Sequence, residues 1–178
     1  MATFIVKADN GGTDSANAYI TTTFFRDYHR ARGNEVQTIS GTTYSTSDWQ
    51  KAIVRASDYL DTRFSFIGIR RTASQTTEWP RYNVEDRNGF IVSDIPEEVK
   101  EACAEYALIS LTTTINPSPT RDDRGQGVQS KMEKVDVLEE ETVFATGDSF
   151  YLPRHPAADL KLTRAGFVVQ GMQVRRGD

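Results

Sequence analysis

Apolar side chains recur every three or four positions in several segments of the chain, which is the spacing of one face of a helix. This periodicity predicts helices near residues 23–32, 48–63 and 96–113, and a shorter helix near 156–163. The apolar faces of the second and third helices are expected to form the core. The residues expected to be buried there are Trp49, Ile53, Leu60, Val99, Cys103 and Tyr106.

Polar residues just before two of these helices mark their predicted starts. Ser47 and Gln50 have the spacing of a capping box, in which a hydroxyl and an amide each bind a free backbone amide. Asp94 is the predicted N-cap of the third helix, because Pro96 and two glutamates follow it in the first turn.

The segment between the third helix and the C-terminus changes in character. Residues 116–130 are Pro, Gly, Asp, Arg and Ser with almost no apolar side chain, which predicts a mobile loop. Residues 131–178 are predicted to hold an extended arm, the short helix and a C-terminal tail, while residues 1–115 form the helical core. The predicted fold is therefore mainly α: a small bundle of three to four helices with extended β-like arms and a tail.

Composition adds limits to this outline. The chain has 178 residues, a net charge of −4 and one cysteine, so it has no disulfide framework. No apolar run approaches the roughly 20 residues that span a bilayer, and the N-terminus lacks the features of a signal peptide. We expect a protein made in the cytoplasm, with no membrane partner.

Candidate catalytic groups are few, and each has a structural interpretation. His29 is expected on a helix surface and His155 in a turn, while Cys103 falls on an apolar helix face and is expected to be a core thiol. Asp58 and Asp61 share a helix with arginines, which predicts ion pairs on a solvated face. The sequence therefore predicts no enzyme, no catalytic residue, no metal and no cofactor.

Aromatic and basic residues alternate between residues 64 and 82, and two interpretations remain open. Aromatic rings can stack on bases while arginines hold phosphates. The same residue types are favoured in protein–protein contacts, and the negative net charge favours packing or a subunit interface over nucleic acid. The candidate interface residues are Arg70, Arg71, Trp79 and Arg81.

The C-terminal strip is apolar and then basic. It is predicted to dock on another protein, although it could instead fold back on the core. The candidate partner-binding residues are Phe167, Val169, Met172, Val174, Arg175 and Arg176.

Several short motifs, taken in order, resemble the head–tail connector (adaptor) proteins of tailed bacteriophages, some of which are labelled DnaT-like single-stranded-DNA-binding proteins. The resemblance covers about residues 16 to 165. It rests on Ala18-Tyr19-Ile20, on the stretch from Ala52 to Asp61 followed by Trp79-Pro80-Arg81, on Asp86-Arg87-Asn88-Gly89 followed by Ile95 to Ala107, and on Ser130 to Asp136.

This resemblance implies a structural subunit of the virion neck, assembled in the host cytoplasm. It implies a homo-oligomeric, dodecameric ring beneath the portal protein that extends the DNA channel and receives the next neck or tail-completion protein. DNA would pass through the channel without specific binding, since a negative lining repels phosphates. The alternative function is a single-stranded-DNA-binding helper of replication, which needs a basic surface with exposed aromatic rings.

Overall fold

A computed structural model describes residues 3–8, 13–115, 128–134, 139–144 and 155–169 of the chain. The chain divides into two compact units. The first combines Met1–Ile115 with Arg154–Asp178, and the second is Asn116–Pro153. Within the described residues the fold is mainly α, as predicted, with four helices and three two-stranded antiparallel sheets.

The helices are α1 (Thr22–Arg30), α2 (Thr46–Arg63), α3 (Glu97–Thr112) and α4 (Pro156–Ala165). All four predicted helices are confirmed, and their ends differ from the predicted ones by at most two residues. None of the helices in the described ranges is both long and apolar enough to cross a membrane.

The start of α2 differs in detail from the prediction. Its capping box is formed by Ser45 and Asp48, two residues before the predicted pair of Ser47 and Gln50, so that prediction is wrong. The Ser45 hydroxyl accepts from the Asp48 amide at 3.3 Å, and the Asp48 carboxylate accepts from the Ser45 amide at 3.0 Å. A charged carboxylate binds an amide more strongly than the neutral Gln50 side chain would, which favours this earlier start.

The start of α3 has no side-chain cap, so the assignment of Asp94 as its N-cap is also wrong. Pro96 occupies the N-cap position in an extended conformation. Its carbonyl accepts from the amides of Val99 and Lys100, at 3.1 and 3.2 Å. Proline is tolerated here because the amide it lacks would have no partner inside the helix.

The core of the first unit lies where α2 packs on α3 and α3 packs on α4. The helix-face prediction is confirmed, because all six residues expected in the core are buried. Ala158 and Leu162 of α4 are also fully buried. Since these two side chains anchor it, α4 belongs to the same unit as the helical core, whereas the sequence grouped it with the arm in residues 131–178.

Short strands join the helices of the first unit. They pair as β1 (Thr38–Ile39) with β2 (Thr42–Thr43), and as β3 (Ile69–Arg70) with β4 (Arg81–Tyr82).

The second unit contains a longer hairpin, β5 (Val128–Lys134) paired with β6 (Glu139–Phe144). It lies where the sequence predicts an extended arm. Residues 128–130 of the predicted mobile loop belong to β5, and residues 116–127 lie outside the described residues.

The described start of the C-terminal strip folds back on the chain. Val168 forms an antiparallel bridge with Phe66, and Phe167 is only 1% exposed, with its ring 5.5 Å from that of Trp79. Phe167 is therefore a core residue in this structure. A partner-binding residue must be accessible, and Phe167 is not. Val169 is exposed. The other candidates, Met172, Val174, Arg175 and Arg176, lie outside the described residues.

Candidate nucleic-acid interface

The β3–β4 hairpin rests on two residues that the sequence proposed for a subunit interface. Trp79 is fully buried, and its ring packs edge-on against Phe66 at 5.6 Å. Arg81 is only 7% exposed, and its guanidinium donates to the carbonyls of Ile67 at 2.8 Å and Gly68 at 2.9 Å. Both side chains thus face the interior of the chain, where they hold the hairpin in place.

Gly68 lets the two halves of this hairpin approach each other. Its φ of +77° is unfavourable for other residues, and a Cβ at this position would lie 2.4 Å from the Tyr82 carbonyl oxygen. It would also lie 2.5 Å from Cγ2 of Val84. A side chain here would therefore displace the backbone that carries Tyr82.

A buried carboxylate of α2 anchors the same loop from below. Asp61 accepts from the Glu78 amide at 3.2 Å and from the Tyr19 hydroxyl, which itself accepts from the Trp79 amide at 3.2 Å. Burial raises the pKa of Asp61 to about 7, despite these donors. Both aspartates were expected on a solvated, ion-paired face. Asp58 is exposed, as expected. The expectation is wrong for Asp61, because Tyr19 and the backbone of residues 78–79 cover its carboxylate.

The loop between the two strands is pinned by polar side chains. The Gln75 amide donates to the carbonyls of Thr77 and Pro80, at 2.8 and 3.2 Å. Asp14 accepts from the hydroxyls of Thr72 at 3.1 Å and Ser74 at 2.5 Å, and these bonds lower the pKa of its carboxyl. The hairpin is therefore a fixed platform.

The hairpin and the turn that follows it carry apolar and aromatic side chains that the described residues leave uncovered. Ile91 is 80% exposed, Phe90 69%, Ile69 63% and Tyr82 49%. The Arg71 guanidinium lies 5.2 Å from the centre of the Tyr82 ring, as in a cation–π contact. Arg70 pairs with Arg81 across the hairpin and points to the opposite face, where its guanidinium donates to the Gln75 carbonyl at 3.3 Å. We call the remaining set the arginine–aromatic surface: Ile69, Arg71, Tyr82, Arg87, Phe90 and Ile91.

The arginines of this surface differ from the structural arginines of the chain. Arg32, Arg63 and Arg81 each form an ion pair with a carboxylate of the fold. Arg71 and Arg87 form no such pair with any described residue. The buried Nε of Arg71 also has no hydrogen-bond partner among the described residues. These guanidinium groups can therefore donate hydrogen bonds to a bound anion, such as a phosphate group.

A tight turn presents the second aromatic ring. The Asp86 carboxylate accepts from the amides of Asn88 at 2.8 Å and Phe90 at 2.9 Å, which lowers the pKa of its carboxyl. Its negative charge is thus directed at the backbone of its own turn. Arg87 and Phe90 remain on the outside of the turn, both exposed.

The other titratable candidates lie inside the fold. Cys103 is fully buried, as predicted, and burial raises the pKa of its thiol to about 12. His29 was expected on the surface and is instead fully buried: its Nε2 donates to the Ala104 carbonyl at 3.0 Å, and burial lowers its pKa. In the described ranges no group of three or more His, Cys, Asp or Glu residues is placed to hold a metal ion.

His155 is half-buried just before α4, and its ring packs edge-on against the rings of both Tyr59 and Tyr106. Its amide donates to the Asp159 carboxylate at 3.2 Å, and the same carboxylate accepts from Arg63 at 2.9 Å. This cluster joins the end of α2 to the start of α4, which is a structural role.

Sequence reasoning found only part of the surface. It selected Arg71, which is on the surface, Arg70, which points to the opposite face of the hairpin, and Trp79 and Arg81, which are buried. It passed over Arg87, Phe90 and Ile91. The available signal was the turn sequence Asp86-Arg87-Asn88-Gly89, since residues flanking a tight turn are commonly exposed.

Comparison with known proteins gives one family. The sequence model of the family described as "Putative DnaT-like ssDNA binding protein" matches residues 2–174. No curated protein and no solved structure matches the chain.

Proposed function

The chain belongs to the family described as "Putative DnaT-like ssDNA binding protein", and on that premise we propose that it binds single-stranded DNA through the arginine–aromatic surface. The observation that carries the proposal is the combination of exposed rings with arginines that have no acidic partner among the described residues. This is the pairing that single-stranded nucleic acid requires, because bases stack on rings while guanidinium groups neutralise phosphates. The role is binding, without catalysis.

The geometry favours a single strand over a duplex. Tyr82 and Phe90 are ring-bearing residues exposed on short, rigid hairpins, and their rings can stack only on bases whose faces are accessible. In a duplex those faces are covered by neighbouring base pairs. The chain as a whole also carries −4, so it lacks the general positive charge that non-specific duplex binding uses. Residues 69–91 carry +1, so the attraction is local.

The test is the fluorescence anisotropy of a labelled oligothymidine, with the Tyr82→Ala protein compared with wild type. Loss of one stacked base is expected to weaken binding by about 1–3 kcal/mol. The double variant Arg71→Ala/Arg87→Ala is expected to weaken binding. It should also lower the dependence of log K on log salt by about 0.7 for each phosphate that the variant no longer neutralises.

Arg30→Ala/Arg55→Ala is the matched control, because it also removes two positive charges. Arg30 is exposed at the end of α1 and Arg55 is exposed on α2, neither forms an ion pair with a described residue, and both lie outside the surface. Their replacement should leave affinity unchanged. Equal losses in the two double variants would show that only overall charge matters, and would contradict the proposed surface.

A second function is favoured by the apolar part of the same surface. Phe90 and Ile91 are exposed side by side, and such a patch on a soluble protein is commonly covered by another subunit. We propose on this ground, as the alternative, the head–tail connector of a tailed phage: a structural ring subunit that contacts the portal protein and a tail-side component. Sedimentation of the protein with and without portal tests it, since a connector must form a ring or join the portal.

A further inference from the structure

A groove of about 280 Å³ opens beside the arginine–aromatic surface. It lies between the 86–88 turn, the first turn of α3 and the last turns of α4. Its charged lining residues are Asp86, Arg87, Glu98, Lys161 and Arg164.

Two of these charges are already satisfied within the fold. Lys161 Nζ lies 2.6 Å from the Glu101 carboxylate, and the Asp86 carboxylate accepts from the amides of its own turn. Arg87 and Arg164 form no ion pair with a described residue, and neither does Glu98. The groove therefore holds two available guanidinium groups against one available carboxylate.

The groove meets the arginine–aromatic surface at Arg87, which belongs to both. The end of α4 lies against the same turn, since a Cβ on its C-cap residue Gly166 would lie 4.0 Å from the Arg87 amide nitrogen. The carbonyl of the following Phe167 accepts from the Ile67 amide at 3.0 Å, which places it beside the segment that leads into β3 (Ile69–Arg70).

We infer that a bound single strand continues from the arginine–aromatic surface into this groove, where Arg87 and Arg164 contact its phosphate groups. The inference rests on the proposed function, since it extends the path of the same ligand. Guanidinium groups suit this contact because their planar donors match two phosphate oxygens at once. Glu98 faces the same groove and opposes the strand, so it limits the affinity.

The inferred binding site is longer than the arginine–aromatic surface alone. The inference is therefore tested by varying the length of the oligonucleotide. We compare a short oligothymidine of about five nucleotides with a long one of about fifteen, a span typical of single-strand sites. For the long oligonucleotide, Arg164→Ala should lower affinity about two- to fivefold and reduce the salt slope by about 0.7. The short oligonucleotide fits on the arginine–aromatic surface alone, so it should bind wild type and the Arg164→Ala protein with equal affinity.

Glu98→Gln provides a test of opposite sign, because removing the opposing charge should raise affinity for the long oligonucleotide. Arg55→Ala is the control, since Arg55 is exposed on α2 and has no ion pair with a described residue. Equal affinities of the Arg164 and Arg55 variants for the long oligonucleotide would overturn the inference. If binding still depended on Tyr82, the proposed function would survive that result. A wild-type protein that binds neither oligonucleotide would contradict both.

Discussion

Replacing Asp61 with asparagine tests how the platform beneath the hairpin is held. Burial raises the pKa of this carboxyl from an ordinary 3.8 to about 7, with Glu78 and Asp58 adding repulsion. At a pH between these two pKa values, the carboxyl is ionised in the unfolded protein and protonated in the folded protein. Ionisation thus favours the unfolded state, and Asp61 makes the protein less stable as pH rises from about 4 to 7.

The size of this effect follows from the two pKa values. At about 1.36 kcal/mol for each pKa unit, the interval corresponds to about 4 kcal/mol as an upper figure. Asparagine has nearly the same shape and does not titrate, so subtracting its free energy of unfolding from that of wild type isolates the carboxyl.

Urea unfolding of both proteins at several pH values measures this difference. Wild-type stability relative to Asp61→Asn should fall by up to about 4 kcal/mol between pH 4 and pH 7 and stay level above pH 7.5. A difference that is constant across this range, or that rises with pH, would refute the reasoning. Glu35→Gln is the control, because Glu35 is exposed and is not among the charges that act on Asp61, so it should give a much smaller change.

Three further predictions concern the core and the hairpin. Leu60→Ala removes a fully buried side chain of α2 and should cost about 2–5 kcal/mol in urea unfolding, and a cost below about 1 kcal/mol would contradict the packing of α2 in the core. Gly68→Ala should lower the melting temperature more than Gly89→Ala. Both glycines have positive φ, but only at Gly68 would the added Cβ lie 2.4 Å from a backbone oxygen, that of Tyr82. Equal effects of the two substitutions would contradict this close approach. Cys103 should not react with a thiol reagent at pH 8 until the protein unfolds, since burial raises the pKa of its thiol to about 12; rapid reaction of the native protein would show an accessible thiol.

The helices were predictable from sequence because their apolar faces are local. Trp49, Ile53 and Leu60 recur at helical spacing, and the structure buries all three. Cap positions were less predictable, since Ser45 and Ser47 offer similar hydroxyls and only the partner three residues later distinguishes them.

Buried polar residues were not predictable, because contacts distant in sequence determine them. Asp61 meets Tyr19 across 42 positions, and His29 meets the Ala104 carbonyl across 75. Composition alone places both residues on the surface.

The candidate interface was half predictable for the same reason. The alternation of aromatic and basic residues indicates an interface in this segment, but it does not show which side chains face the interior of the chain. The structure places Trp79 and Arg81 beneath the hairpin, and it exposes Phe90 and Ile91 beyond the next turn.

The most direct test of the central claim is to titrate oligothymidine into the ¹⁵N-labelled protein, which at 20.0 kDa suits amide chemical-shift mapping. The account predicts saturable shifts concentrated in residues 69–71, 82 and 87–91, which diminish as salt is raised, with none at Arg30. Shifts confined to other parts of the chain, or no shifts at millimolar oligonucleotide, would contradict it.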